Sequence, residues 1–272
     1  MEDFSEYNGE GTALRKLQLR LLDILVEIDK ICRKHGIQYW IDFGTLLGSV
    51  RHGGFIPWDD DIDVTMPTKD YYRFLEIAPK ELPDSLFLQT KETDPSYRLL
   101  INKVRDRNSL YITKHEDFSR NYNKGLYVDI FEATPYAAVQ PKLQKFIMKW
   151  YQKTCHFFSV KQSVNLKNHL AAIVFPIIKI NLDIIWGILN LGQKKYIGYA
   201  KQFNVYGNSY PSDIVFPLKD ISFEGKTFLG PSNPDKYLTS IYGNYMTLPK
   251  KEQQHTHIIY FDLQRNCSHL NA

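Results

Sequence analysis

Phe55-Ile56-Pro57-Trp58-Asp59-Asp60-Asp61-Ile62-Asp63-Val64 places four aspartates in five positions, with apolar residues on both sides. In an extended chain successive side chains alternate faces, so this spacing predicts Asp59, Asp61 and Asp63 on one face and Asp60 on the other. Asp61 and Asp63 would stand about 6.5 Å apart along such a strand. Carboxylates that close repel one another unless a cation lies between them. Hard oxygen donors suit Mg²⁺ or Mn²⁺, which bind through one or two carboxylates together with substrate phosphates. A solvated acidic turn is the plainer explanation of any Asp cluster. The flanks Phe55 to Trp58 and Ile62-Val64 argue against it, because a solvated run rarely sits between buried ones.

Just upstream, Ile37-Gln38-Tyr39-Trp40-Ile41-Asp42-Phe43 reads as a strand from its aromatic and β-branched content. Gly44-Thr45 follows, and Leu46 to Arg51 reads as a short helix. Gly44 permits a close backbone approach to a ligand, and Thr45 is a good N-cap. The helix start it opens offers free N–H groups and partial positive charge to a phosphate. Such a turn alone is commonplace. Followed by one short helix, one loop and a strand bearing Asp-x-Asp, it becomes specific.

The run from Phe43-Gly44-Thr45-Leu46-Leu47-Gly48-Ser49-Val50-Arg51-His52-Gly53-Gly54 through the aspartates to Val64 resembles the LicD family, with its nucleotidyltransferase fold. That family includes bacterial phosphocholine transferases and is related to the fukutin-related proteins of animals. The resemblance continues at Lys103-Val104-Arg105-Asp106, at Gly125 to Phe131, and from Tyr237-Leu238 to Leu248-Pro249. It spans about residues 14 to 257, with a divergent middle.

The resemblance implies a third acid on a neighbouring strand, at Asp129, where an unpaired charge among Val128, Ile130 and Phe131 would be costly. A structural Asp paired with a buried Arg or Lys is the alternative. Asp61, Asp63 and Asp129 are thus the expected metal ligands for Mg²⁺ or Mn²⁺. Asp59 is a candidate general base or second-metal ligand, which makes Asp59, Asp61, Asp63 and Asp129 the catalytic set. Gly44, Thr45, Arg51, Trp58, Lys103 and Arg105 are the expected substrate-binding residues. Lys103 and Arg105 share a strand face and would neutralise phosphates, although two surface charges on an edge strand explain them as well. Trp40, Trp58, Tyr39 and Tyr127 would supply an aromatic box for a quaternary ammonium, or simply core. His255 and His257 follow Pro249 where the family tends to carry a basic residue and a histidine, while Gln254 stands where an arginine is expected.

The activity implied is transfer of phosphocholine, or a related alcohol phosphate, from a CDP-linked donor such as CDP-choline to a hydroxyl of a cell-surface glycan, teichoic acid or lipopolysaccharide precursor. A non-catalytic glycan- or lipid-binding protein on the same fold is an alternative. A nucleotidyltransferase acting on another acceptor is a further one. Transfer to nucleic acid would call for a basic groove, and a net charge of +4 without Lys/Arg runs argues against it.

At 272 residues, 43% hydrophobic and 24% charged, the chain can bury a full core. Helices alternate with strands, which predicts an α+β sheet with flanking helices. Leu14, Leu17, Leu21, Ile24, Leu25, Ile28 and Ile31 mark a helix ending near His35-Gly36. Pro67 is expected in the first turn of a second helix. Leu86 to Gln89, Tyr97 to Val104 and Leu126 to Phe131 read as strands. Phe223 to Phe228 reads as a hairpin, and Asn233-Pro234 opens a helix. From Lys142 to Tyr206 the pattern is wholly helical. The expected organisation is therefore a core of residues 1–140, a helical insertion at 141–206, and a return to the same core at 207–272.

Within the insertion, Leu170 to Leu191 is the only stretch that suggests a membrane. Pro176, Lys179, Asp183 and Asn190 interrupt it, so it fails as a span. The i,i+4 pair Lys179 and Asp183 marks a polar face. Two readings stay open, a buried helical core and an amphipathic surface lying on a membrane. Trp150, Phe157, Phe158 and Trp186 suit either. Cys32, Cys155 and Cys267 have no metal-ligand spacing, and the polar Met1-Glu2-Asp3 start is unlike a signal peptide. Together they predict a cytoplasmic protein, with the inner membrane face as the place to meet a lipid-linked acceptor.

Overall fold

The computed structural model describes residues 3–97, 99, 101–114, 121–136, 146, 149–150, 153–154, 157, 166–189, 191, 195–199 and 209–265. A short turn of helix, α1 (Ser5–Asn8), leads into α2 (Ala13–His35). Thr12 caps α2 by accepting from the Arg15 N–H at 3.2 Å, and Gly36 ends it in the left-handed region, φ 60°. Its leucines and isoleucines at three- and four-residue steps are buried as the sequence predicts.

The sheet is mixed and seven-stranded, in the order β1-β2-β6-β4-β3 with β7 and β8 continuing from the far part of β6. These strands are β1 (Trp40–Ile41), β2 (Asp63–Pro67), β3 (Leu86–Gln89), β4 (Asn102–Asp106), β6 (Tyr127–Tyr136), β7 (Tyr196–Gly198) and β8 (Ser209–Pro211). Only β2 and β6 run parallel, and their register sets Asp63 opposite Asp129. On the other side of β6, Lys103 of β4 faces Asp129 in antiparallel register. Asp63, Asp129 and Lys103 therefore form one row across three strands. The helices α3 (Phe43–His52) and α4 (Thr68–Glu81) flank β2 in sequence. A separate ladder joins β5 (Leu110–Thr113) to β11 (Ile258–Asp262). The expected α+β fold with flanking helices is observed.

After the long helix α5 (Leu166–Leu189) come α6 (Ser212–Val215), the hairpin β9 (Lys219–Phe223) and β10 (Lys226–Gly230), and α7 (Pro234–Tyr242). The hairpin is as expected. So is the start of α7, where Asn233 accepts from the Lys236 N–H at 3.0 Å.

Several expectations require correction. The strand predicted from Ile37 shrinks to Trp40–Ile41, because α3 starts at Phe43 and Asp42, not Thr45, is its cap, accepting from the Phe43 N–H at 2.7 Å. Pro67 closes β2 instead of opening α4, which begins at Thr68. The strand expected from Tyr97 begins only at Asn102. Residues 142–206 are not wholly helical. Tyr196–Gly198 pairs with Thr134 to Tyr136 of β6, so the chain has rejoined the sheet well before residue 206. Alternation in Tyr196-Ile197-Gly198-Tyr199 is too short a signal to stand out beside the long apolar helix. Most of residues 137–165, Cys155, Phe158, the Trp186 side chain and Cys267 lie outside the described residues.

Candidate active site

Asp59 to Ile62 is not a strand. Strand β2 starts at Asp63, and the three preceding aspartates sit in a turn opened by Pro57-Trp58, with the Asp59 N–H donating to Ile56 C=O at 2.9 Å. Neighbours hold this turn rigidly. The Gln18 amide donates to Asp59 C=O at 2.9 Å, the Tyr111 hydroxyl to Asp60 C=O at 3.2 Å, and the Asp129 N–H to Ile62 C=O at 2.9 Å. Strand alternation therefore does not decide which way each carboxylate points. Asp60 does not turn away from the others. Each of Asp59, Asp60 and Asp61 offers a carboxylate oxygen within 4.8 Å of the other two.

Asp60 is buried, and it is tied to β11's approach, accepting from the His257 N–H at 2.9 Å with the ring Nδ1 at 3.2 Å. That bond raises the His257 pKa above its ordinary value. Burial, followed by the charges of Asp61 and Asp60, holds Asp59 well above the usual carboxylate range. Burial, then Asp60 and Asp129, pushes Asp61 up to about 6. Burial, then Asp61, Asp129 and Asp59, holds Asp63 high as well. Carboxylates this close repel one another unless a cation lies between them.

Gly44 and Thr45 do come to this place, in the first turn of α3. A Cβ on Gly44 would stand 2.7 Å from Asp59 Oδ2, so the bare backbone is what lets that carboxylate approach. Thr45 is buried, and its hydroxyl accepts from the Asp63 N–H at 2.9 Å. It fixes the first residue of β2 against α3. Asp42, which sequence reasoning missed, anchors the same corner from beneath. It is fully buried and accepts from Trp40 Nε1 at 3.1 Å, Thr65 Oγ1 at 2.6 Å, Tyr237 Oη at 3.1 Å and the Tyr199 hydroxyl. Burial raises its pKa, against the pull of those donors. Only its position before Phe43 marks it in the sequence, and capping is a weak signal there. Tyr242, at the end of α7, is the other residue missed. Although Tyr242 is 43% exposed, partial desolvation and then the charges of Asp63, Asp42, Asp59 and Asp61 raise its pKa, which puts it within electrostatic reach of the cluster.

Lys103 lies at one end of the row, beside Asp129. Its ammonium pairs with Asp129 Oδ1 and stands 3.4 Å above the Tyr127 ring centroid. Tyr127 is thus occupied by the protein's own cation. Arg105 is buried too, donating to Gln89 Oε1 at 2.5 Å and to Gly125 C=O, so it holds β3, β4 and β6 together and is no surface charge. Trp58 is 7% exposed and packs edge-on against Phe4, Tyr7 and His52. Trp40 and Tyr39 are core residues, engaged with Asp42 and Asp29 respectively. None of these rings forms an open box.

Arg51 donates to Tyr245 C=O at 2.8 Å, and burial lowers its pKa while Tyr242 and Asp59 partly restore it. It also borders a cavity of about 720 Å³ with Phe4, Arg15, His52, Pro57 and Met246. None of the four clustered aspartates lines that cavity, so Arg51 is the side chain that links the two regions.

Comparison with known proteins finds similarity over the same stretch. Residues 36–142 match the LicD/FKTN/FKRP nucleotidyltransferase domain, and the resemblance read from residues 43–64 is thereby shown. The lipopolysaccharide cholinephosphotransferase LicD of Haemophilus influenzae is 29% identical over 262 residues, covering 90% of this chain and 96% of that protein. Human ribitol 5-phosphate transferase FKRP is 49% identical over 35 residues, 13% of this chain and 7% of its own length. Mannosyltransferase regulator 4 of Saccharomyces cerevisiae is 32% identical over 75 residues, 28% of this chain and 6% of its own length.

Proposed function

We propose that the chain is a transferase that moves an alcohol phosphate, phosphocholine first among the candidates, from a CDP-linked donor to a hydroxyl of a glycan precursor. The observation that carries this is the cluster of Asp59, Asp60 and Asp61, with carboxylate oxygens within 4.8 Å of one another, Asp59 against Gly44 and the Asp63 N–H bonded to Thr45 in the first turn of α3, inside a stretch that matches a nucleotidyltransferase domain. The near full-length similarity to a cholinephosphotransferase supports the phosphocholine reading.

The donor set is all oxygen, crowded, and held above normal carboxylate pKa values by burial and then by mutual repulsion, so it fits a hard divalent ion such as Mg²⁺ or Mn²⁺. Asp61 and Asp63 would hold it, with Asp129 beside them on the parallel strand and Asp59 adjoining. When bound, such an ion supplies charge neutralisation at the donor diphosphate and its leaving group.

The protein's own groups account for the rest. The first turn of α3 presents backbone N–H groups and partial positive charge to a phosphate, and the bare Gly44 brings Asp59 against that turn. The raised proton affinity of Asp59 suits it to accept the proton of the acceptor hydroxyl as that oxygen bonds to the alcohol-bearing phosphorus. The phosphorus–oxygen bond to CMP breaks in the same step, and CMP leaves. Lys103 pairs with Asp129 and fixes its orientation. Like other phosphoryl transfers, the reaction depends on position and electrostatics more than on covalent chemistry by the protein.

The test is incubation with CDP-choline, CDP-ribitol and CDP-glycerol, with Mg²⁺, Mn²⁺ or EDTA, and with free CMP as the readout. Metal-dependent CMP release from at least one donor is expected, and Asp61→Asn or Asp63→Asn should abolish it. Release that survives EDTA would remove the metal from the proposal. No release and no thermal shift with any CDP-alcohol would favour a binding protein instead.

A further inference from the structure

Helix α5 (Leu166–Leu189) is apolar on the wrong side. Leu170, Ile173, Ile177, Ile180, Ile184 and Ile188 recur at three- and four-residue steps and are each 54–66% exposed. Val174 and Ile185 widen the exposed stripe. The opposite face meets protein. Phe175 packs edge-on against Phe157 at 5.0 Å, and Leu182 is buried. The buried-core reading of this segment is therefore wrong for its outer face. Among the described residues no helix is long and apolar enough to cross a membrane.

The charge of the surrounding segment indicates what covers this face. Residues 142–201 hold ten lysines, no arginine and one acid, Asp183, so the segment is net +9 in a chain of net +4. Asp183 is itself paired with Lys179 at 2.8 Å. Lys149, Lys153 and Lys195 are exposed, and Lys153 lies 4.7 Å over the Trp150 ring. An apolar helix face, an amphipathic tryptophan and unopposed lysines are the composition of a segment that lies on an anionic lipid surface. A second copy of the chain fits less well. A coiled-coil seam is narrow and flanked by charges that set its pairing. Here the flanking positions are Val174, Pro176, Asn181 and Asp183, of which only Asp183 is charged, and it is paired with Lys179 on its own helix.

We infer that α5 docks the protein peripherally on an anionic bilayer, in the interfacial plane, with its isoleucine stripe among the acyl chains and the lysine-rich composition of residues 142–201 supplying the attraction to anionic headgroups. This inference stands without the transferase reading and concerns where the protein works.

The experiment is co-sedimentation of the full chain with vesicles of phosphatidylglycerol and phosphatidylethanolamine, against vesicles of phosphatidylcholine alone. The variants are the double substitution Ile177→Glu with Ile184→Glu, and Leu19→Glu as a control at an exposed apolar position on α2. Wild type and Leu19→Glu should sediment with the anionic vesicles and release in high salt. The double variant should lose at least tenfold in bound fraction while melting within a few degrees of wild type. Three results overturn the inference: no binding by wild type, equal binding by the double variant, or an unfolded double variant, which would make the stripe core. A wild-type dimer that the double variant splits, with no vesicle binding, assigns the face to a second copy.

Discussion

Asp59 Oδ2 lies 2.7 Å from the point where a Cβ on Gly44 would stand. The first turn of α3 and the acidic turn are thus in contact through the absence of a side chain. Gly44→Ala should gain about 1 kcal/mol from helix propensity. Displacing the Asp59 carboxylate should cost about 1–3 kcal/mol. Stability should therefore change little, while CMP release falls about 100-fold, the scale expected of a misplaced reacting group. A Gly44→Ala enzyme of unchanged activity would detach Asp59 from the chemistry.

The raised carboxylates make a second expectation, for protein stripped of metal by EDTA. A carboxyl whose folded pKa exceeds its unfolded value binds its proton more tightly when folded, so it favours folding at low pH and loses that contribution as pH rises. Asp61, pushed up to about 6, defines the window from about pH 4 to above pH 6, and Asp59 and Asp63 extend it upward. Wild type should lose stability relative to Asp61→Asn across that window in urea melts, and excess Mg²⁺ should close the gap. Parallel curves for the two proteins would mean that the cluster is not strained.

These features divide cleanly by how local their causes are. The helix Ala13–His35, the hairpin Lys219–Gly230 and the Asn233 cap follow from short-range rules, and the sequence shows them directly. The crowding of Asp59 to Asp63 is equally plain. What alternation misjudged is the path of Asp59 to Ile62, because Gln18, Tyr111 and Asp129, distant in sequence, hold that turn out of the strand. The partners of Asp60, Lys103 and Arg105 are likewise non-local. Two basic residues spaced by one on a strand look like a phosphate clamp until the register with Asp129 and Gln89 is known.

Asp42 tests whether residues 196–199 belong to the core. Its carboxylate accepts from hydroxyls of β2, α7 and Tyr199 just beyond β7. Asp42→Asn presents an amide donor to groups that are themselves donors, at a cost of about 1–3 kcal/mol. Tyr199→Phe alone should cost about 1 kcal/mol. The double variant should be less destabilised than the sum, since both remove the same bond. Strict additivity in a double-mutant cycle would place Tyr199 outside this network.

Lys103 and Asp129 offer the sharpest separation of structural from metal-binding roles. The pair is buried between β4 and β6, and removing one partner of such a pair leaves an uncompensated charge, typically costing about 3–5 kcal/mol. Lys103→Met keeps the length of the side chain and removes its charge. In EDTA it should lower the melting temperature substantially. Mg²⁺ or Mn²⁺ should then recover more stability in Lys103→Met than it adds to wild type, because the ion binds a site now short of one positive charge. Differential scanning fluorimetry across a metal titration reads both effects. If metal shifts the two proteins equally, Asp129 serves the Lys103 pair alone, and the ion, if one binds, rests on Asp59, Asp61 and Asp63.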